Sequence, residues 1–242
     1  MHKRDSLQAV LEHIKEKNIH LETIIDIGVA YGTPGLYGIF NNVHYHLIEP
    51  LHEYHDVIDK LNNQYNMSFT MAAAGKQSGT ITLNVHPDLS GSSVLKESEG
   101  EHVDGDQRIV PQTTLDHEVL QHNLKCPFLV KIDVQGFELE VLEGAVDTLK
   151  QAEIVILEVS LFQFYKSSPT FAEVIRYMNE KKFSVYDIFN GAYRPIDDAL
   201  GQVDILFVKT NGPLRTTQHY ASSQQREILT QERIQFLNPK SE

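Results

Sequence analysis

A Rossmann-like, doubly wound α/β domain with a mainly parallel sheet is the fold class this sequence predicts, and three observations predict it. Ile24-Ile25-Asp26-Ile27 is a short β-branched run ending at Gly28-Val-Ala-Tyr-Gly32, and Tyr45-His46-Leu47-Ile48 is a second run ending at Glu49-Pro50. Read as strand, glycine loop, helix, strand and carboxylate, this is half of a nucleotide-binding βαβ unit. Phe128-Leu129-Val130-Lys131-Ile132 reads as a buried strand and runs into Asp133-Val134-Gln135-Gly136. Beyond it, strand and helix patterns alternate, which implies parallel strands with helices on both faces.

The remaining elements follow in order. Leu7, Val10, Leu11 and Ile14 recur at helical spacing, so residues 5–17 form an amphipathic helix against the sheet. Residues 54–65 read as a helix and 69–73 as the third strand; residues 79–86 alternate apolar and polar side chains as a half-exposed strand does. From Pro87 to Pro111 the chain is polar, contains Ser90-Gly-Ser-Ser93 and reads as one long functional loop. After Asp133 comes a helix with Leu142, Ala145, Val146 and Leu149 on one stripe, then a strand over 153–159. Thr170-Phe-Ala-Glu173 is a capping-box pattern that opens a helix with Phe171, Val174, Ile175 and Met178 facing inward. Residues 183–189 and 203–209 are the final strands, joined by a long connection suited to an antiparallel return; a weak helical pattern lies around 228–237.

The glycine loop constrains the ligand. Gly28 and Gly32 lack a β-carbon, so a ligand can approach the loop's main chain. A carboxylate about 20 residues further on, at the tip of the next strand, is placed to accept two ribose hydroxyls, and Glu49 is that residue. A dinucleotide fingerprint asks for two further glycines where Ala30 and Thr33 stand, and no P-loop Lys-Ser/Thr follows. S-adenosylmethionine (SAM) has ribose and adenine but no phosphate, so it suits this loop better than NAD does. An NAD-dependent oxidoreductase or epimerase, or an inactive fold used for binding, remains as an alternative.

Lys131-Ile-Asp-Val-Gln-Gly-Phe-Glu-Leu-Glu-Val-Leu-Glu-Gly-Ala145 resembles the signature of FkbM-type SAM-dependent methyltransferases, with Gln135 where many members carry Glu. Asp26-Ile-Gly28, Glu49-Pro50, Ala72-Ala-Ala-Gly75, Thr114-Leu-Asp116 and Ile156-Leu-Glu-Val159 extend the resemblance in order along the chain. It implies a class I methyltransferase fold, seven strands with the last antiparallel, SAM as cofactor, and methyl transfer to a hydroxyl of a small molecule such as a sugar or secondary metabolite.

Ligands of open parallel sheets bind beyond the strands' carboxyl ends. On that rule Asp26, Gly28, Tyr31, Gly32, Glu49, Ala72, Ala73 and Asp133 are the cofactor-binding candidates, with Ala72 and Ala73 on the adenine side and Asp133 toward the methionine end. Methyl transfer needs an aligned acceptor and a base for its proton. Asp133, Gln135 and Glu158 are the catalytic candidates; the base is Asp133, Glu158 or a loop histidine such as His86 or His102, and Gln135, which does not titrate, bonds the substrate or holds its loop. Acceptor specificity is expected in the 87–111 loop and in residues 162–168, where Phe162, Phe164 and Tyr165 form an aromatic wall or pack inward.

The chain has 242 residues and a formal charge of −12, which argues against a nucleic-acid substrate because phosphate binding needs a basic face. Organisation is read as an N-terminal helix over 1–20, one catalytic domain over 21–212 and a C-terminal extension over 213–242 that is a tail or a homodimer contact. No apolar run reaches the roughly 18 residues of a membrane span, and the first residues lack a secretory h-region. Cys126 is the only cysteine, read as a small buried hydrophobe, and no disulfide is expected, in keeping with a cytoplasmic location. The twelve histidines show no zinc motif, so no metal is expected; a magnesium ion between Asp133 and Glu158 is the alternative weighed.

Overall fold

A computed structural model describes residues 4–237. The first helix, α1 (Leu7–Glu16), starts where the Ser6 hydroxyl accepts from the Ala9 N–H, and it buries Leu7, Val10, Leu11 and Ile14. Each such side chain contributes about 1.5–3 kcal/mol of transfer free energy. Strands β1 (Thr23–Ile27) and β2 (His44–Ile48) are parallel neighbours. The helix expected between them is absent, and residues 28–43 form successive turns. Gly32, Gly35 and Gly38 all have positive φ, which a right-handed helix does not tolerate. A β-carbon at Gly35 would lie 2.9 Å from Gln8 Cβ of α1, and Val29, Leu36 and Phe40 of these turns pack in the same core as α1.

Beyond β2, a 3-10 turn (His52–Tyr54) leads into α2 (His55–Asn62) and β3 (Met67–Thr70). The expected strand over 69–73 is split: β3 joins the main sheet, whereas β4 (Ala73–Ala74), β5 (Gly79–Val85) and β6 (Asp106–Thr113) build a second sheet in the order β4-β6-β5. The long loop therefore ends near residue 105, not at Pro111. Pro111 fits within β6 because β4 pairs only opposite Gln112 and Thr113, leaving that side open where proline lacks an N–H.

Helix α3 (Leu115–Gln121), capped by Thr114, was not among the expected elements. It precedes β7 (Phe128–Ile132), which pairs in parallel with β1 and with β8 (Ala152–Ser160). The single helix expected after Asp133 is two, α4 (Glu138–Glu143) and α5 (Val146–Gln151), and Val146 is exposed. At the break, Gly144 packs so closely on Gly75 that a β-carbon would sit 2.1 Å from the Gly75 carbonyl oxygen. Asp116 caps the second piece, accepting from the Asp147 and Thr148 N–H groups and the Thr148 hydroxyl. Cys126, in the turn before β7, is exposed and not buried.

The capping box at Thr170 opens α6 (Phe171–Glu180), which buries Val174 and Met178. Strands β9 (Phe183–Tyr193) and β10 (Leu200–Lys209) are longer than expected and pair as an antiparallel hairpin. The main sheet has seven strands in the order β3-β2-β1-β7-β8-β10-β9, with β10 antiparallel to both neighbours. Successive residues such as Leu129 and Val130 face opposite sides of the sheet, which carries one core under α1 and α2 and another under α4, α5 and α6. The last described helix, α7 (Ser223–Leu237), buries no side chain. Among the described residues no helix is long and apolar enough to cross a membrane.

Candidate active site

The ends of β1, β2 and β7 meet at one point. The Gly28 N–H donates to Ile48 and the Asp133 N–H to Ile27, both at 3.0 Å. A β-carbon on Gly28, whose φ is +75°, would lie 1.7 Å from the Asp133 carbonyl oxygen, so only glycine lets these two turns cross. Beyond that crossing lies a cavity of about 200 Å³.

Five of the sequence-selected residues line it: Gly28, Glu49, Ala73, Asp133 and Gln135. Five do not. Glu158 and Asp26 lie outside its walls, Ala72 is buried behind Ala73, Gly32 packs on Leu61 and Tyr37, and Tyr31 is 63% exposed with its ring edge-on to Tyr54. The histidines proposed as bases also stand apart: His86 pairs with Asp88, and His102 is exposed. Tyr54, Leu83, Leu89 and Phe137 complete much of the wall, and no local sequence signal marks them. Leu89 and Ser90 come from the long loop, which was expected to carry acceptor specificity and not to wall the cofactor cavity.

Glu49 is 4% exposed. Its Oε2 accepts from the Ala30 N–H at 3.0 Å and its Oε1 from the Leu51 N–H at 2.9 Å, while burial pushes the carboxyl up. Each oxygen keeps a further acceptor site. Asp26 anchors the glycine loop, its Oδ2 accepting the Thr33 hydroxyl at 2.7 Å and the Tyr37 hydroxyl at 2.5 Å. Lys131 is buried behind this wall, 3.3 Å from Asp133 Oδ2 and 3.8 Å from Asp26 Oδ1. Burial opposes its charge, but Asp133 and Asp26 outweigh burial and hold its ammonium above the ordinary lysine value.

Gln135 links the carboxylates. Its Nε2 donates to Asp133 Oδ1 and to Glu158 Oε2, both at 3.0 Å, and its Oε1 accepts from the Tyr165 hydroxyl at 3.1 Å. Glu158 also accepts from Gln202 Nε2 at 3.0 Å. Burial, then the charges of Asp133 and Glu138, push the Glu158 carboxyl well above the ordinary carboxylate range. Glu138 turns inward as its helical register allows, and its Oε1 accepts from the Val134 and Gly136 N–H groups. Burial pushes it up to about 7.

A second cavity of about 750 Å³ opens on the other side of Gln135, lined in part by Phe162, Phe164, Tyr165, Tyr193 and Gln202. The expected aromatic wall is there, with Tyr165 also buried against the core.

Among known proteins, the family model of the methyltransferase FkbM domain matches residues 26–185. No curated protein matches the sequence. Of solved structures, a methyltransferase FkbM from Methylobacillus flagellatus KT is similar at 15% identity and TM-score 0.48 over 76% of this chain, which spans 43% of that longer chain. Magnesium protoporphyrin IX methyltransferase from Synechocystis PCC 6803, with bound SAM, is similar at 10% identity and TM-score 0.47 over 84% of this chain and 77% of its own.

Proposed function

We propose that this chain, which belongs to the methyltransferase FkbM family, transfers a methyl group from SAM to a hydroxyl of a small, uncharged or cationic molecule. The observation that carries this reading is the donor set of the first cavity. Glu49 offers carboxylate oxygens for ribose hydroxyls, Ala73, Ala74 and Leu83 offer an apolar face for adenine, and Asp133 offers a negative charge. No lysine or arginine lines the cavity, so a pyrophosphate would meet two carboxylates and no cation there. That composition fits a phosphate-free, cationic nucleoside and disfavours NAD.

SAM supplies an electrophilic methyl group on a sulfonium. The protein's part is to hold the acceptor oxygen in line with the methyl carbon and to take its proton. Held by Glu49 and the Ala73–Ala74 face, SAM would supply the methyl group, and Asp133 would be the carboxylate that takes the acceptor's hydroxyl proton. Gln135 and Lys131 orient that carboxylate. Glu158 lies outside the first cavity and anchors the amide that holds Asp133. The amide nitrogen stands between the two carboxyl groups, where a bridging magnesium ion would need oxygen ligands on every side.

The acceptor would lie in the second cavity, sharing Gln135 as a wall, with Phe164 and Tyr193 for apolar rings, while Arg194, paired with Asp197, covers the Phe162 ring. Glu97 and Glu99 on its rim disfavour polyanions such as nucleic acid. Leu89 and Ser90 of the long loop form part of the first cavity's wall. The exposed single cysteine suits a cytoplasmic setting. A thermal-shift comparison tests the cofactor: SAM and S-adenosylhomocysteine raise the melting temperature and NAD does not. An equal or larger shift with NAD would favour the oxidoreductase.

A further inference from the structure

Outside both cavities, three side chains from distant parts of the sequence converge beneath the outer strands. His46 comes from β2, Glu118 from α3, and His122 from the cap of that helix, one turn after Glu118. His46 is wholly buried, Glu118 nearly so, and the His122 side chain is 27% exposed. Glu118 Oε2 lies 3.1 Å from His46 Nε2 and 3.3 Å from His122 Nε2, and the three ligand atoms all fall within 4.8 Å of one another. With metal–nitrogen and metal–oxygen bonds of about 2.0–2.2 Å, a tetrahedral zinc site spaces its ligand atoms roughly 3.3–3.5 Å apart. Two of the three edges are thus already near that length.

The surroundings match an outer shell. His46 Nδ1 is 2.8 Å from Ser68 Oγ, which is in turn 2.8 Å from His44 Nε2. A proton on Nδ1 shared with Ser68 leaves Nε2 with its lone pair toward the centre. The other oxygen of Glu118 accepts the Thr113 hydroxyl at 2.5 Å. The Thr70 hydroxyl stands 2.7 Å from Glu118 Oε2 and 3.2 Å from His122 Nε2, near the corner left for a fourth ligand, and His122 offers a route from solvent. Two imidazoles and a hydroxyl crowded on one carboxylate oxygen resemble a ligand shell drawn in by the width of an ion.

We propose that His46, Glu118 and His122 bind one divalent transition-metal ion, zinc first, in a structural site. Two imidazole nitrogens favour zinc over magnesium or calcium, which prefer all-oxygen shells. The ion would tie β2 to α3 close to β3. It would also brace the cofactor wall, because the Thr113 carbonyl accepts the Gly75 N–H at 2.9 Å, next to Ala73 and Ala74. The proposal does not depend on the methyltransferase reading.

The test is titration of the chelator-treated full chain with Zn²⁺ by calorimetry and with Co²⁺ by visible absorption. Expected are one equivalent bound, the intense d–d bands of four-coordinate cobalt, displacement of cobalt by zinc, and a rise in melting temperature with zinc. His122→Ala, at a partly exposed helix end, weakens binding by at least about 100-fold, beyond the range lost with an outer-shell partner, while His52→Ala leaves it unchanged. Absence of saturable one-to-one binding to the wild type, or binding that survives His122→Ala, overturns the site and leaves a hydrogen-bonded network. The wild-type titration alone decides the matter if the His122 variant does not fold.

Discussion

The Gln135 side-chain amide donates to the Glu158 carboxyl at 3.0 Å, so a neutral side chain stands between two part-buried acids, Glu158 and Asp133. Its second donor goes to Asp133. Gln135→Ala removes both bonds, leaving Glu158 with Gln202 and Asp133 with Lys131 as their remaining partners. It is expected to cost about 1–3 kcal/mol, read as a lower midpoint in urea denaturation.

Glu158 gives stability a pH dependence of definite sign. Burial raises its folded-state carboxyl above the unfolded value, so the native state binds the extra proton. That contribution is fully present below the unfolded pKa and declines as pH rises from there through the raised folded-state value. Glu158→Gln, which mimics the protonated acid, flattens the fall in melting temperature between neutral and alkaline pH. A variant as pH-sensitive as the wild type would show that other groups set the slope.

Gly28→Ala forces a β-carbon into the Asp133 carbonyl oxygen at a φ of +75°. The expected penalty is at least about 3 kcal/mol, seen as a large drop in melting temperature or loss of folded protein. A neutral substitution would mean that the β1 and β7 turns do not cross this closely.

Asp116→Ala strips the N-terminal cap from α5, which Asp116 provides through the Asp147 and Thr148 N–H groups. A loss of about 1–2 kcal/mol follows from capping energetics. Asp116→Asn keeps an acceptor oxygen and recovers part of that loss in the same melt.

Much of the frame was legible because it is local. β-Branched runs ending at Gly28, Glu49 and Asp133, and the capping box at Thr170, act within a few residues of chain, and the structure has them as read. The helix expected after Gly28 is replaced by turns in which Gly32, Gly35 and Gly38 take positive φ. The second sheet was hidden because β4 is two residues long and its partner Gln112 lies far along the chain. At the site, Glu49 and Asp133 could be read from strand ends, whereas Leu83, Leu89 and Phe137 enter the wall through folding alone. Glu118 and His122 share a helix face, but His46 joins them only across the sheet.

The central claim rests on Glu49, and calorimetric titration of wild type and Glu49→Gln with SAM tests it most directly. The account predicts saturable binding by the wild type and a loss of about 10- to 100-fold in the variant, the scale of a charge-assisted hydrogen bond, with melting temperatures recorded beside it to show both proteins folded. No SAM binding by folded wild type, or equal affinity in the variant, would contradict it.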